Sequence, residues 1–252
     1  MKYLIRSEIR KTFRRIDAKV LILLGLWPAM LCMLILIKPD VFKMSGVSIG
    51  AYEFANYMVV IQNEIFLPLL ISAMIASISF YQEIHKKVIY FYKDLPRKNI
   101  LIAKYLSVYS VYFVFLLLYI AVSFIAYYLE FRSNSLATGT FMAYPQEALS
   151  GLYTAIQIVL GATLYIHVGI MLAIRTSTGL SIFGMTLFYM FAKIAPNFKF
   201  LKFIFPIGYK EVISFQSHSL LYSSLLSVLV FGIYHILLFW INKKYFDKMQ
   251  FN

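Results

Sequence analysis

Histidine, cysteine and carboxylate side chains are what a chain needs to ligate a metal, move a proton or attack a carbonyl. Here they are sparse and scattered. The four histidines, His85, His167, His218 and His235, fall in four separate segments. No HExxH pair would hold zinc on one helical face, and no GxSxG turn would present a nucleophilic serine. The single cysteine, Cys32, rules out an intramolecular disulfide or a thiolate cluster. No GxxxxGK[ST] occurs, so the chain lacks the glycine loop that wraps ATP phosphates in backbone amides. We expect no covalent catalysis, no catalytic residue, no metal and no cofactor in the chain itself. His167 and His235 lie in two apolar runs that a fold could bring together, and hydrogen-bonded packing is the expectation for them. One acid, Glu64 in VVIQNEIFLP, stands at the edge of an apolar run beside Gln62 and Asn63. Ionisable groups in lipid are costly and are functional candidates by default, so Glu64 and Asn63 are candidates for a substrate or gate contact. Their position near a membrane surface favours a wet interfacial role. Pro68, one turn further on, is placed to kink the helix.

The elements that would carry these groups are apolar and long. Of 252 residues, 61% are hydrophobic and 14% charged, with a mean hydropathy of +0.76. A soluble domain is about 45–50% apolar and about 25% charged. Nearly charge-free apolar runs near 20–37, 61–80, 105–129, 149–173, 177–192 and 219–241 are each close to the roughly 20 residues a helix needs to cross the hydrocarbon core. The expected class is an all-α polytopic membrane protein of six transmembrane helices. The fifth run, TGLSIFGMTLFYMFA, is the shortest and richest in small residues, which suits close packing against another helix. In the third, Tyr105, Tyr109 and Tyr112 share a stripe. Hydrogen bonds between helices are the plain expectation for them, and a peptide- or lipid-facing groove is the alternative.

Lys and Arg orient the bundle. Seven precede the first run, six lie between the second and third, one between the fourth and fifth, and three follow the sixth, which makes 17 of the 24 on one side. The positive-inside rule then puts both termini in the cytoplasm. In this setting the net charge of +13 speaks of anionic lipid and membrane topology rather than nucleic acid. No cleavable signal peptide fits, because the first apolar run begins late and is long enough to span. In residues 1–19, Ile5, Ile9, Phe13 and Ile16 recur at helical spacing among Arg6, Arg10, Lys11, Arg14 and Arg15, a pattern that continues to Val20. Such a stretch is expected to form an amphipathic helix in the cytoplasmic interface, ahead of a permease domain over 20–252.

The charged loop 81–104, YQEIHKKVIYFYKDLPRKNILIAK, has helical order of its own. Ile84, Val88, Phe91, Tyr92 and Leu95 recur on one face, while Glu83, Lys87, Tyr90 and Asp94 take another, with Glu83 set to pair with Lys87 at i+4. Pro96 disfavours helix at Leu95 and can open the next one. A short amphipathic helix at a membrane surface either buries its apolar face in headgroups or presses it into a groove on a soluble partner.

The ordered set of Glu83, a short aromatic-aliphatic helix, Leu95-Pro96, then Ile100-Leu101 and Ala103-Lys104 resembles the first cytoplasmic loop of type-2 permeases of ATP-binding-cassette (ABC) exporters. The basic N-terminal helix and the six spans are also similar to that family, so the likeness covers nearly the whole chain. Lys86 and Lys87 depart from it, standing where a small residue or threonine is common. The resemblance implies that Glu83, Ile84, Lys87, Val88, Phe91, Tyr92 and Leu95 form a coupling helix seated in a cleft of a separate cytoplasmic ABC ATPase. ATP and Mg would be bound by that partner. It further implies that residues 1–19 form an elbow helix, and that 193–218 is a re-entrant helical hairpin, against the alternative of a plain amphipathic loop. The complex would contain two ATPase copies and a second permease half, from a homodimer or a related permease, in a bacterial plasma membrane. The implied function is export of an amphipathic substrate, with peptides favoured, including antimicrobial peptides. The rivals are an ion-coupled secondary transporter or channel, and a non-transporting membrane scaffold or sensor subunit.

Overall fold

A computed structural model describes residues 1–37, 48–88, 92, 94–134, 136–198, 201, 204–205 and 217–248. Among these, the chain is helical apart from turns, loops and one isolated bridge pair, Ile49 with Ala137. The helices are α1 (Lys2–Phe13), α2 (Ile16–Leu23), α3 (Trp27–Ile37), α4 (Ala51–Ile65), α5 (Leu67–Ser77), α6 (Glu83–His85), α7 (Arg97–Leu129), α8 (Ala148–Ala173), α9 (Thr178–Ile194) and α10 (Ser217–Lys248). Six helical stretches are long and apolar enough to cross a membrane: Ile16–Ile35, Leu67–His85, Arg97–Ser133, Pro145–Ala173, Thr178–Asn197 and Tyr222–Lys248. They match the six apolar runs of the sequence one for one. Their outer faces carry fully apolar, open side chains such as Leu117, Leu129 and Ile236, a distribution that suits lipid as the solvent.

The long α7 is the axis of the bundle. Its 33 residues rise about 50 Å at 1.5 Å each. Buried aromatics along it, Tyr105, Tyr112, Phe115, Tyr119 and Tyr127, face α3, α4, α8 and α10. The tyrosine hydroxyls tie the helices together. Tyr127 donates to the Ile49 carbonyl, Tyr119 to that of Met58 and Tyr109 to that of Thr163. Each bond satisfies a phenol that would otherwise be stranded among apolar groups. In α9, Ser181, Met185, Tyr189 and Ala192 form the buried stripe, and Gly184 lets Leu172 of α8 come so close that a Cβ there would lie 2.6 Å from it. Ser181, Gly184 and Ala192 of the fifth span are in close packing, while Gly179 is exposed, with nothing among the described residues within 4 Å of a Cβ placed there.

Three boundaries differ from the sequence reading. Residues 1–19 are not one helix, because the chain leaves α1 at Arg14, is extended at Arg15 and restarts at Ile16. The face α1 buries is centred on Glu8 and Thr12, with Ile5, Ile9 and Phe13 half-buried at its sides, while Ile16 is exposed. The second apolar run, 61–80, is divided at Phe66, which takes a left-handed conformation (φ 59°): its first residues end α4, which starts at Ala51, and the stretch long enough to span starts at Leu67. The break falls just before Pro68, whose ring cannot continue the α4 ladder. Finally, Glu83–Leu95 is not one helix. The α-helix stops at His85, and Lys87 is left-handed (φ 58°).

The opposite end of α4 is pinned by one acid. The Glu53 carboxylate accepts hydrogen bonds from the backbone N–H groups of Gly50, Ala143 and Tyr144, closing the helix N-terminus against the 136–147 loop. Of the segment expected to be a re-entrant hairpin, 193–218, a short 3₁₀ turn at Ala195–Asn197 and the buried ring of Phe205 are described. The remainder of that segment lies largely outside the described residues.

Candidate functional site

At the end of the bundle where α1, the tail of the second span and the start of α7 meet, a lysine sits fully buried. Lys104 is two turns inside α7, on the stripe of Ile100, Val108 and Val111. Its Nζ donates to Glu83 Oε2 at 2.5 Å and to the Ser79 carbonyl at 2.9 Å, and lies 3.5 Å from Glu8 Oε2. The Phe80 ring lies 5.9 Å away. Glu83 also pairs with Lys11 at 2.7 Å, and the Tyr92 hydroxyl donates to Glu8 Oε1 at 2.6 Å. Two carboxylates therefore face two ammonium groups, and three otherwise separate elements share one network. A buried ion needs such company, since an isolated one would cost several kcal/mol.

Local backbone chemistry prepares the site. The second span ends in a π turn, Ile78–Gln82. Such turns widen the helix and are frequent at functional sites. Ser79, within it, gives its carbonyl to Lys104 and its hydroxyl to Arg15 at 2.9 Å. Arg15 in turn is clamped by Asp17 at the first turn of α2, where a carboxylate also meets the positive helix end. Thus the break between α1 and α2 is held by the same serine that holds Lys104.

The expected coupling residues are only partly brought together here. Glu83 and Tyr92 belong to the network, and Ile84 packs half-buried against the core. Glu83 pairs with Lys104 and Lys11 rather than with Lys87, because the left-handed turn at Lys87 takes that side chain out of helical register. Val88 is half-buried and Leu95 exposed, while Phe91 lies outside the described residues. Burial, then the hydrogen bond to Glu8 and its charge, push the Tyr92 phenol well above the usual tyrosine range, so it stays a donor. Sequence reading missed Lys104 and Glu8 as functional groups. The signal was present, because Lys104 stands four residues from both Ile100 and Val108 on an apolar stripe.

The tyrosine stripe divides. Tyr105 and Tyr109 line a groove of about 730 Å³ between α7, α8 and α10, whereas Tyr112 is fully buried beside Gln62 and lines no part of it. Next to the groove, His167 and His235 meet with their Nδ1 atoms 2.9 Å apart. Thr163 Oγ1 lies 3.3 Å from His235 Nε2 and donates to the Leu160 carbonyl. One arrangement satisfies this chain with both rings neutral: His167 Nδ1–H donates to His235, and His235 Nε2–H donates to Thr163. Asn242 donates to the Tyr105 hydroxyl at 2.6 Å and accepts from Arg175 at 2.8 Å. Most of these polar tips are thus paired inside the protein, while His167 Nε2 is buried without a partner among the described residues.

Glu64 is exposed and ion-paired with Lys193, whose ammonium also lies over the Tyr189 ring. The Asn63 carbonyl accepts the Tyr189 hydroxyl at 2.7 Å. This is a surface clasp between α4 and α9 rather than a buried acid. Among the described residues, no group of three or more His, Cys, Asp or Glu is placed to hold a metal ion. Compared with known protein families, curated proteins and solved structures, the chain matches none.

Proposed function

We propose that this chain is the permease half of an ATP-driven exporter of ABC type, moving an amphipathic substrate, with peptides favoured, across a bacterial plasma membrane. Both termini and the loop 81–104 then face the cytoplasm, residues 2–13 act as the elbow helix, and a separate ATPase binds ATP and Mg. Two ATPase copies and a second permease half, identical or related, complete the machine. The observation that carries this reading is the Lys104 network. A displacement delivered to the loop at Glu83 or Tyr92 passes directly to α7 through Lys104 and to α1 through Glu8. A rigid charged joint at the base of the bundle is what a loop needs if it is to move helices rather than merely lie on lipid.

The test is reconstitution with the cognate ATPase and measurement of substrate-stimulated hydrolysis and ATP-dependent export. Lys104→Met combined with Glu83→Gln and Glu8→Gln removes the buried charges and keeps the joint packed, leaving the part-exposed Lys11 to water. It is expected to leave basal hydrolysis intact while lowering its stimulation by substrate. Failure of any ATPase to co-purify, or full stimulation in the triple variant, overturns the reading. An ion-coupled carrier is the second reading, favoured by the contact of His167 with His235. It requires substrate uptake driven by a pH gradient without ATP, abolished by His167→Gln.

A further inference from the structure

The groove between α7, α8 and α10 has a polarity that its lining residues make plain. Along α7 it runs from Lys98 through Ile102, Tyr105 and Tyr109 to Phe113. The 15 helical steps from Lys98 to Phe113 rise about 22 Å. One leaflet of a bilayer, with half the core and one headgroup layer, is about 20–22 Å thick. The α10 wall repeats the order, with Lys243 at the same end as Lys98, then Trp240, then Ile236. That the two lysines share an end follows from the bond between Arg97 and the Asp247 carbonyl, which ties the first turn of α7 to the last of α10. Among the described residues, none that lines it is acidic. The polar groups of the lining, the two histidines, Tyr105 and Tyr109, are turned to partners among themselves and their neighbours, save His167 Nε2, which is buried and does not open into the groove. What is left open is an apolar trough one leaflet deep with two ammonium groups at its mouth.

We infer that this trough holds a single anionic phospholipid from the leaflet at the basic end, its phosphate between Lys98 and Lys243 and an acyl chain along Tyr109 and Phe113. Basic pockets between membrane helices are a recurring way to hold anionic headgroups. A zwitterionic lipid fits less well, because its own ammonium would face Lys98, Lys243 and Lys244 with no lining carboxylate to receive it. A second copy of the chain fits less well too. A two-fold axis normal to the membrane brings residues of equal depth together, so lysine would meet lysine. The site is independent of the exporter reading, since it needs only a bilayer.

The two tryptophans make it testable. Trp240 lines the groove, and Trp27 begins α3. The Trp27→Phe protein is reconstituted in phosphatidylcholine vesicles containing brominated phosphatidylglycerol or brominated phosphatidylcholine, and quenching of Trp240 fluorescence is followed against mole fraction. Each lysine at the headgroup is expected to favour the anionic lipid about fivefold. Brominated phosphatidylglycerol should therefore quench at a several-fold lower mole fraction, an advantage lost in Lys98→Gln/Lys243→Gln and kept in Lys98→Arg/Lys243→Arg. Trp27, read in a Trp240→Phe protein, should show no such advantage, which separates a site from general enrichment around a basic protein. Equal quenching by the two lipids, an advantage that survives Lys98→Gln/Lys243→Gln, an equal advantage at Trp27, or no quenching because a second copy covers the groove would each overturn the inference.

Discussion

Two ion pairs of this protein look alike as letters and differ by their surroundings. Lys104 is wholly buried between Glu83 and Glu8, while Glu64 stands largely in the open with Lys193. Removing one partner of a buried pair strands the other charge, at about 3–5 kcal/mol. An exposed pair is worth about 0–1 kcal/mol. Lys104→Met should therefore lower the thermal midpoint sharply, and adding Glu83→Gln and Glu8→Gln should restore most of it, since the desolvated charges leave together. Glu64→Gln should hardly move it. Cys32 provides the readout, because it is the only cysteine and is buried, so a thiol-reactive dye labels it only on unfolding. A midpoint that falls equally for Lys104→Met and Glu64→Gln would show that burial does not govern these pairs. At this scale the sequence was half legible. Glu64 is conspicuous as an acid beside an apolar run, yet in the sequence Lys104 reads as part of the loop's basic flank, because Arg97 and Lys98 nearby carry the same charge. Only the helix start at Arg97 moves it two turns inward.

Elements were more legible than their joints. Six long apolar runs read directly as six helices, because matching a bilayer demands length and composition and little else. The joints depend on tertiary partners that periodicity does not contain. Phe66 breaks the second span where its ring meets that of Tyr189, 4.4 Å between centroids. Glu53 fixes the start of α4 by reaching a loop ninety residues away in sequence. The loop after Glu83 has a helical pattern, yet its helix stops at His85 and Lys87 turns left-handed, with Glu83 held by Lys104 and Lys11 and Tyr92 by Glu8. Lys87 decides between the two readings by the sign of one substitution. In a continuous exposed helix, glycine costs about 1 kcal/mol and isoleucine little. At φ 58°, isoleucine costs about 1–2 kcal/mol and glycine relieves strain. Lys87→Gly should leave the midpoint unchanged or raise it by a few degrees, and Lys87→Ile should lower it. The reverse order would restore the unbroken helix.

At the scale of the whole molecule, the bundle is tied crosswise by tyrosine hydroxyls along α7 and lengthwise at one end by the Lys104 network. The loop is thus joined to α1 and α7 by buried polar contacts, while much of α10 is exposed. If the proposed ATPase docks on this loop, exposure says which residues it would meet. Ile84 packs against the core, so a charge there would disturb the fold before it disturbed docking. Leu95 is exposed and Val88 only half-buried, which makes them the fair test of a contact surface. A carboxylate pressed unpaired into a partner's apolar cleft costs more than about 1 kcal/mol. Val88→Asp with Leu95→Asp should therefore weaken ATPase association about tenfold or more, abolish substrate stimulation, and leave the Cys32 unfolding midpoint within a few degrees of the parent. If the double variant binds the ATPase and responds to substrate as the parent does, the loop lies on lipid and the charged joint beneath it serves the fold alone.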